Sequence, residues 1–400
     1  MISDTTGVSV YVGLDVGKHN HHAVAIDVKG KKLLDKALPN DEAKLTAILE
    51  PLLLRGRVLL VVDQPATIGA LPVAVAMAAG AEVAYLPGLT MRRVADIFPG
   101  EAKTDARDAA IIAETARTMP TTLRSIDLDD EKAAELSMLC GFDQDLCDQI
   151  TATSNRIRGL YTQIHPALER VIGKHLDHDA MCDLLAKYPT PSSIRKAGVR
   201  RIEAVLKKQA PRAYRAWTQE IVEALNAQTV KVIGTDAAGV VIPHLAAQLQ
   251  ALRKQRGDVA TQVEVLVEAH PFWTILSSMP GVGIRTAAVF IAETAGKDFA
   301  NAAHLAAYAG LAPVTRQSGT SIRGENPSKR GNKRLKRAMF LSAFAALRHP
   351  ESRAYYDRKV AQGKRHNQAL LALARRRSDV LFAMLRDGAL YESKLTPIST

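Results

Sequence analysis

Four aspartates, Asp15, Asp63, Asp105 and Asp108, fall between residues 15 and 108 of a 400-residue chain. Carboxylates are hard oxygen donors, and several gathered in one cleft repel each other unless a divalent cation joins them. Such a cluster suits Mg²⁺ or Mn²⁺ better than zinc. The chain as a whole carries the opposite sign, with 53 Lys plus Arg against 41 Asp plus Glu and a formal charge of +12. An acidic metal site inside a basic protein points to chemistry on a polyanion, nucleic acid first among them.

For the four acids to meet, the elements around them must converge. Residues 8–30 read as strand, glycine-containing turn and strand, with Asp15 ending the first strand and His19, His21 and His22 in or after the turn. KKLLDKALP begins a third strand, residues 41–50 have helical periodicity, and residues 58–62 form a wholly apolar strand that ends at Asp63. A strand of that kind is central and covered on both faces. An alanine-rich helix interrupted at Pro72 then leads to a strand at residues 81–86. The succession is α/β, and open sheets of that class place ligands at the carboxyl ends of their strands. Asp105 and Asp108 stand three apart at the start of DARDAAIIAETAR, so both can face one side of a first helical turn.

Each acid has a plainer reading as well. Asp105 can be an N-cap, Asp108 a first-turn acid favoured by the helix dipole, and Asp15 and Asp63 ordinary strand-end turn residues. Their joint placement is what favours a metal site. The histidines lack an HExxH pattern and fit an exposed turn, where Lys18 is either solvated or near a phosphate.

From about residue 129 to 270 the pattern is helical. Leu139, Phe142, Leu146, Ile150, Ile157, Leu160, Ile164 and Leu168 recur at steps of mostly three and four, as in a long amphipathic helix or coiled-coil arm that Pro166 must bend or end. A break is expected over residues 189–198, and a second helical run over 242–270 folds back on the first. A plain helical bundle explains this region without chemistry.

Farther on, SMPGVGIRTAAVFIAE separates two helical segments by a PGVG turn. That is the pattern of a helix-hairpin-helix element, in which Gly281 and Gly283 let backbone N–H groups approach a phosphate, or else only permit a tight turn. Residues 316–332 are rich in Gly and small polar side chains and read as a polar loop. Around it crowd Arg316, Arg323, Lys329, Arg330, Lys333, Arg334 and Arg337, a density that a phosphate backbone relieves. Ser318 and Ser321 lie in the same loop, either as structural turn serines or as nucleophiles beside stabilising cations. A further basic stretch starts at Tyr355, Tyr356 and Lys359, includes Lys364, Arg365 and His366, and extends through Arg375, Arg376 and Arg377 along a helix.

GLDVGKH, VVDQPATIG, KTDARDAAIIA, SMPGVGIRTAAVFIAE, GLAPVTRQSGTSIRGENPSKRGNKRLKRAMF and YYDRKVAQGKRHNQALLALARR occur in that order. Together they resemble the transposases of the IS110/IS1111 group of bacterial insertion sequences, over nearly the whole chain. The resemblance implies a RuvC-like (RNase H-like) α/β domain over residues 1–125, a helical coiled-coil region over 126–270, and a mainly helical transposase domain over 271–400. It implies that Asp15, Asp63, Asp105 and Asp108 form a DEDD tetrad binding Mg²⁺ (Mn²⁺ also serving). Ser318 matches the family's reactive serine, with Ser321 in reserve. The second tetrad position is usually glutamate, and Asp63 is shorter by about an ångström, so either the strand end comes closer to the metal or another acid such as Glu82 serves.

The implied function is DNA transposition: cutting and rejoining DNA through a serine-linked intermediate, guided by an element-encoded non-coding RNA, in a homo-oligomer (dimer or tetramer) of the bacterial cytoplasm. Two other readings stay open, a RuvC-like endonuclease that uses water and a non-catalytic nucleic-acid scaffold. Hydrophobic residues make up 47% of the chain, enough for more than one core. Because charges interrupt every apolar run before membrane-span length, neither insertion nor secretion is expected. Cys140, Cys147 and Cys182 lack metal-type spacing and read as small buried apolar groups in a reducing compartment.

Overall fold

The computed structural model describes residues 6–65, 67–98, 104–126, 131–297, 299–318, 322–326 and 330–393. Two compact units account for the chain, residues 1–131 with 294–331 and residues 132–293 with 332–400. The expected C-terminal segment, residues 271–400, contributes to both units.

The first unit begins with β1 (Val8–Asp15), β2 (Asn20–Asp27), β3 (Lys32–Pro39), α1 (Glu42–Leu53), β4 (Arg57–Val62), α2 (Ala70–Ala78), β5 (Glu82–Tyr85), α3 (Gly88–Ala95), α4 (Asp105–Thr118) and the short β6 (Arg124–Ser125). The strands form one sheet in the order β3-β2-β1-β4-β5-β6. β1, β2 and β3 are an antiparallel meander, whereas β1, β4 and β5 run parallel. Alternation within the strands builds two cores. Val10, Val12, Leu14, Val58, Leu60 and Val62 pack against Leu45, Leu49 and Val73 of α1 and α2. Tyr11, Val24, Leu59 and Val61 pack against Ile112 and Ala113 of α4 on the other face. The apolar run of β4 from Val58 to Val62 is therefore central, as its composition requires. Pro72 does not interrupt α2; it lies in the first turn, where a missing N–H costs nothing.

The second unit opens with α5 (Glu131–Ile164), one unbroken helix through Gly141 and Gly159. His165 caps the next helix, α6 (Pro166–His175), through its Nδ1, and Pro166 occupies the first helical turn. Then come α7 (Asp179–Lys187), α8 (Pro191–Gln209), α9 (Tyr214–Asn226), α10 (Thr235–Glu268), α11 (Trp273–Ser278) and α12 (Ile284–Thr294). The break expected at residues 189–198 is found at its two ends: residues 188–190 separate α7 from α8, and Gly198 (φ 72°, ψ 164°) leaves helical geometry inside α8, while between them a helix starts on a capping box of Thr190 and Ser193. The C-terminal part of α5 joins α6 to α10 in a core that includes Tyr161, whose hydroxyl donates to the Pro189 carbonyl at 2.8 Å. Cys182 is buried, but Cys140 and Cys147 are half-buried, a correction to the expected fully buried set. Burial holds the thiols of Cys140 and Cys182 protonated, each pushed up to about 11.

The remaining elements are α13 (Ala302–Tyr308) and the antiparallel hairpin β7 (Val314–Ser318) with β8 (Ile322–Asn326) in the first unit, then α14 (Lys333–Ala345), α15 (Pro350–Ala361) and α16 (His366–Asp387) in the second. Among the described residues no helix is long and apolar enough to cross a membrane.

Candidate active site

Asp15 is the last residue of β1, and Asp63 follows the last residue of β4. The two strands are parallel neighbours with Leu14 opposite Val62, so both acids emerge side by side at the carboxyl edge of the sheet. The amide of Val16 donates to Asp63 Oδ1 at 3.3 Å and ties the two strand ends together.

The other pair arrives on α4, which packs on β1 and β2. Its approach depends on Gly13, where a β-carbon would stand 2.1 Å from the Ala109 carbonyl oxygen and 2.4 Å from the Ala113 nitrogen. Only a residue without a side chain lets the helix lie this close to the strand. Thr104 is the N-cap and accepts from the Arg107 amide, so Asp105 is not the cap; Asp105 and Asp108 are both first-turn acids. Gly13 is a site-forming residue not named among the candidates read from the sequence, although a glycine inside an otherwise apolar strand is the signal for a close backbone approach.

Electrostatics report the convergence. Burial pushes the Asp15 carboxyl up to about 6, and the charges of Asp63, Asp105 and Asp108 add to the effect. Burial also raises Asp63, opposed by hydrogen bonds that include the one from the Val16 amide. As placed, no three His, Cys, Asp or Glu side chains among the described residues close on a common point at metal-ligand distance. The donors nonetheless suit a hard cation in kind, all carboxylate oxygens with no thiolate or buried imidazole between them, and ligation requires their side chains to turn inward.

The reserve acid Glu82 belongs elsewhere. It begins β5 at the opposite edge of the sheet and pairs with Arg57, whose Nη2 lies 3.0 Å from Glu82 Oε2. Nor do the histidines join the acids as ligands: His19 is exposed, His22 bonds Asp35 at 2.7 Å, and His21 is buried with neither ring nitrogen hydrogen-bonded.

Ser318 ends β7 opposite Ile322, so the expected polar loop is a hairpin carrying Arg316 and Arg323 on its two strands. The side chains of Ser318, Arg316 and Arg323, together with all of Ser321 and Lys329, lie outside the described residues. Arg330 is exposed just ahead of α14. Asn332 caps that helix, and Arg334 approaches Glu293 at 3.6 Å. Lys333, Arg334 and Arg337 are exposed, while Leu335, Ala338 and Met339 are buried beneath them.

The PGVG turn is packed more tightly than its sequence suggests. A β-carbon on Gly281, whose φ is 81°, would meet the Ser342 carbonyl at 2.6 Å, whereas Gly283 faces open space. Arg377 is buried and donates to the Pro280 carbonyl at 2.6 Å and to Ser342 Oγ at 2.8 Å. It is a strut rather than part of an exposed basic face, and of its neighbours Arg375 pairs with Asp379 while Arg376 is exposed. Lys364 and Arg365 are exposed between α15 and α16.

Residues 12–166 match a transposase family model of the DEDD IS110 type, and residues 273–357 match the transposase IS116/IS110/IS902 family. The chain is 57% identical to an uncharacterized 43.6 kDa protein of insertion element IS110 from Streptomyces coelicolor, covering 98% of each. It is 39% identical to an uncharacterized 42 kDa protein of IS900 from Mycobacterium paratuberculosis, covering 97% of this chain and 98% of that one. A pilin gene-inverting protein of Moraxella bovis is 31% identical over 30% of this chain and 39% of its own length. Acidic strand ends, a DEDD-type match across them and full-length similarity converge on one assignment: the chain belongs to the IS110/IS116/IS902 family of insertion-sequence transposases, enzymes that act on DNA through a divalent-metal-dependent acidic site.

Proposed function

We propose that this transposase binds Mg²⁺, with Mn²⁺ as a substitute, through Asp15, Asp63, Asp105 and Asp108 in a RuvC-like domain, and breaks DNA through a serine-linked intermediate. The observation that carries the reading is Asp15, a half-buried carboxyl pushed up to about 6 by its burial and by three neighbouring acids. That repulsion has no structural use, and a cation relieves it. A divalent ion held there supplies Lewis-acid charge to phosphoryl oxygens. Asp15 gives up its proton on ligation, and the Val16 amide keeps Asp63 oriented toward the same edge.

Ser318 is the nucleophile in this reading, with Ser321 in reserve. Its Oγ forms a bond to phosphorus, the bond from phosphorus to one deoxyribose oxygen breaks, the Oγ proton passes to a base, and the released sugar oxygen takes up a proton. Support comes from the RQSGTS block and from the assignment of the β7–β8 hairpin to the same compact unit as the acids. An element-encoded structured RNA as guide and a homo-oligomer, dimer or tetramer, belong to the same proposal, as do nucleic-acid contacts by Arg316, Arg323, Lys329, Arg330, Lys333, Arg334, Arg337, Lys364 and Arg365. Of the two turn glycines, open Gly283 suits a phosphate better than packed Gly281. The name of the Moraxella relative, a gene-inverting protein, agrees with strand rejoining rather than simple cutting.

Denaturing gels of reactions on nicked suicide DNA test the proposal. Wild type in Mg²⁺ should leave DNA attached to protein, Asp15→Asn should not, and Ser318→Ala should lose the adduct. Hydrolysed ends without any adduct would assign the site to water attack instead, and an adduct that persists in both Ser318→Ala and Ser321→Ala sinks the serine assignment.

A further inference from the structure

We propose that α14, α15 and α16 carry a platform for unpaired DNA, on which Phe344 stacks a base while Arg358, Lys359 and Arg376 hold the adjoining phosphates. The proposal rests on the transposase reading only for the identity of the nucleic acid.

Two features of this surface, an aromatic edge and a set of uncompensated cations, lie on the same three packed helices. Phe344 is a large apolar side chain left 54% exposed. His366 stands against it edge-on, with ring centroids 6.5 Å apart, and is itself anchored by a 2.7 Å hydrogen bond between Nδ1 and the Tyr356 hydroxyl. Tyr356 and His366 thus buttress one side of an exposed ring whose solvent side is open.

On α15 and α16 as well, the Tyr355 ring gathers three cations: Arg376 at 5.0 Å, Arg358 at 5.1 Å and Lys359 at 5.5 Å from its centroid. These cations have no carboxylate partner among the described residues, nor do Lys364 and Arg365 at the N-terminal end of the 22-residue α16. The nearby acids are committed elsewhere: Asp357 to Arg353, Asp379 to Arg375 and Glu351 to Tyr391 and Ser393. Like charges held together without counter-ions attract a phosphate backbone. The partial positive charge of the helix end adds to that attraction.

An exposed ring adds something a duplex cannot use, because stacked and paired bases hide their faces. Aromatic side chains beside a cationic track are the means by which single strands are held. Pairing of the proposed guide RNA with one DNA strand leaves the other strand unpaired, which makes single-stranded DNA the occupant that reading supplies.

Fluorescence anisotropy on the full chain in EDTA tests this apart from the acidic site, using labelled oligothymidylate, oligouridylate and a mixed-sequence duplex. Phe344→Ala should weaken oligothymidylate binding by about tenfold and leave duplex binding within about twofold, whereas Phe344→Tyr should bind as wild type. The double variant Arg358→Gln/Arg376→Gln should reduce the dependence of log K on log salt by about one. Equal losses on single strand and duplex, no loss in Phe344→Ala, or tighter binding of oligouridylate than of oligothymidylate would each overturn the assignment. Because no metal is present, failure here leaves the transposase reading standing, and failure of suicide-DNA trapping leaves this one standing.

Discussion

Gly13 and Ala109 come together so closely that a β-carbon on the glycine would lie 2.1 Å from the alanine carbonyl oxygen. This approach seats the first turn of α4 above the end of β1 and so brings Asp105 and Asp108 to Asp15. Gly13→Ala must push the helix away. Overpacking of this kind costs about 1–3 kcal/mol, and backbone atoms yield less readily than side chains, so the upper end applies. Thermal melting should show the loss, and Mg²⁺-dependent DNA cleavage should fall even at temperatures where the variant is folded. Wild-type cleavage by the Gly13→Ala variant would separate the glycine from the site.

Asp15 makes the metal-free protein pH-sensitive. Its carboxyl is pushed up to about 6 in the fold against 3.8 as the ordinary value, so folding favours the protonated form. The stability this provides is complete below about pH 4 and is lost as pH rises through about 6. The shift corresponds to at most about 3 kcal/mol, and partial solvent exposure reduces it to about 1 kcal/mol. Asp15→Asn should therefore melt higher than wild type at pH 7 in EDTA, with the gap closing by pH 4. The same variant should lose cleavage by about a thousandfold or more. A gap that stays constant with pH would count against the charged cluster.

Asp63 and Glu82 should behave oppositely. Asp63→Asn removes a carboxylate from the carboxyl edge of the sheet and should abolish cleavage, while Asp63→Glu keeps the charge and should retain part of it. Glu82 pairs with Arg57 at the other edge, and an exposed pair of this kind contributes about 0–1 kcal/mol. Glu82→Gln should leave cleavage intact and stability nearly so. Assays of the three variants side by side decide which acid serves the site, and loss of activity in Glu82→Gln would reverse the assignment.

Arg377 and Arg376 are adjacent in sequence and unlike in role. Truncating Arg377 strands the Pro280 carbonyl and the Ser342 hydroxyl in a buried setting, and Arg377→Ala should cost about 3 kcal/mol. Arg376→Ala, on the exposed side of α16, should stay within about 0.5 kcal/mol while weakening DNA binding. Chemical denaturation of both variants separates strut from contact.

Much of the first unit is legible in the sequence because its signals are local. A wholly apolar run such as Val58 to Val62 has one stable place, the middle of a sheet, and an aspartate that ends such a run must appear at the sheet edge. Helix starts are less legible: Thr104 rather than Asp105 caps α4, since neighbouring polar residues compete for the same amides. Residues 189–198 suggest a break because proline and glycine disfavour helix interiors, and the chain does leave helical geometry before Pro191 and at Gly198, yet the capping box of Thr190 and Ser193 starts a helix between them.

The chain alone determined which residue types are present, that four acids sit at element ends, and that the surrounding charge is positive. It could not say which arginines reach solvent, because burial depends on which faces are packed: Arg377 is sealed against α14 and the Pro280 turn while Arg376, one residue away and about 100° around the helix, is left open. Only tertiary packing could bring α4 onto β1 through the bare Cα of Gly13. A pair of distant segments carries no local signal of its meeting, and the energy that decides it comes from buried area and close backbone fit, which exist only once the chain has folded.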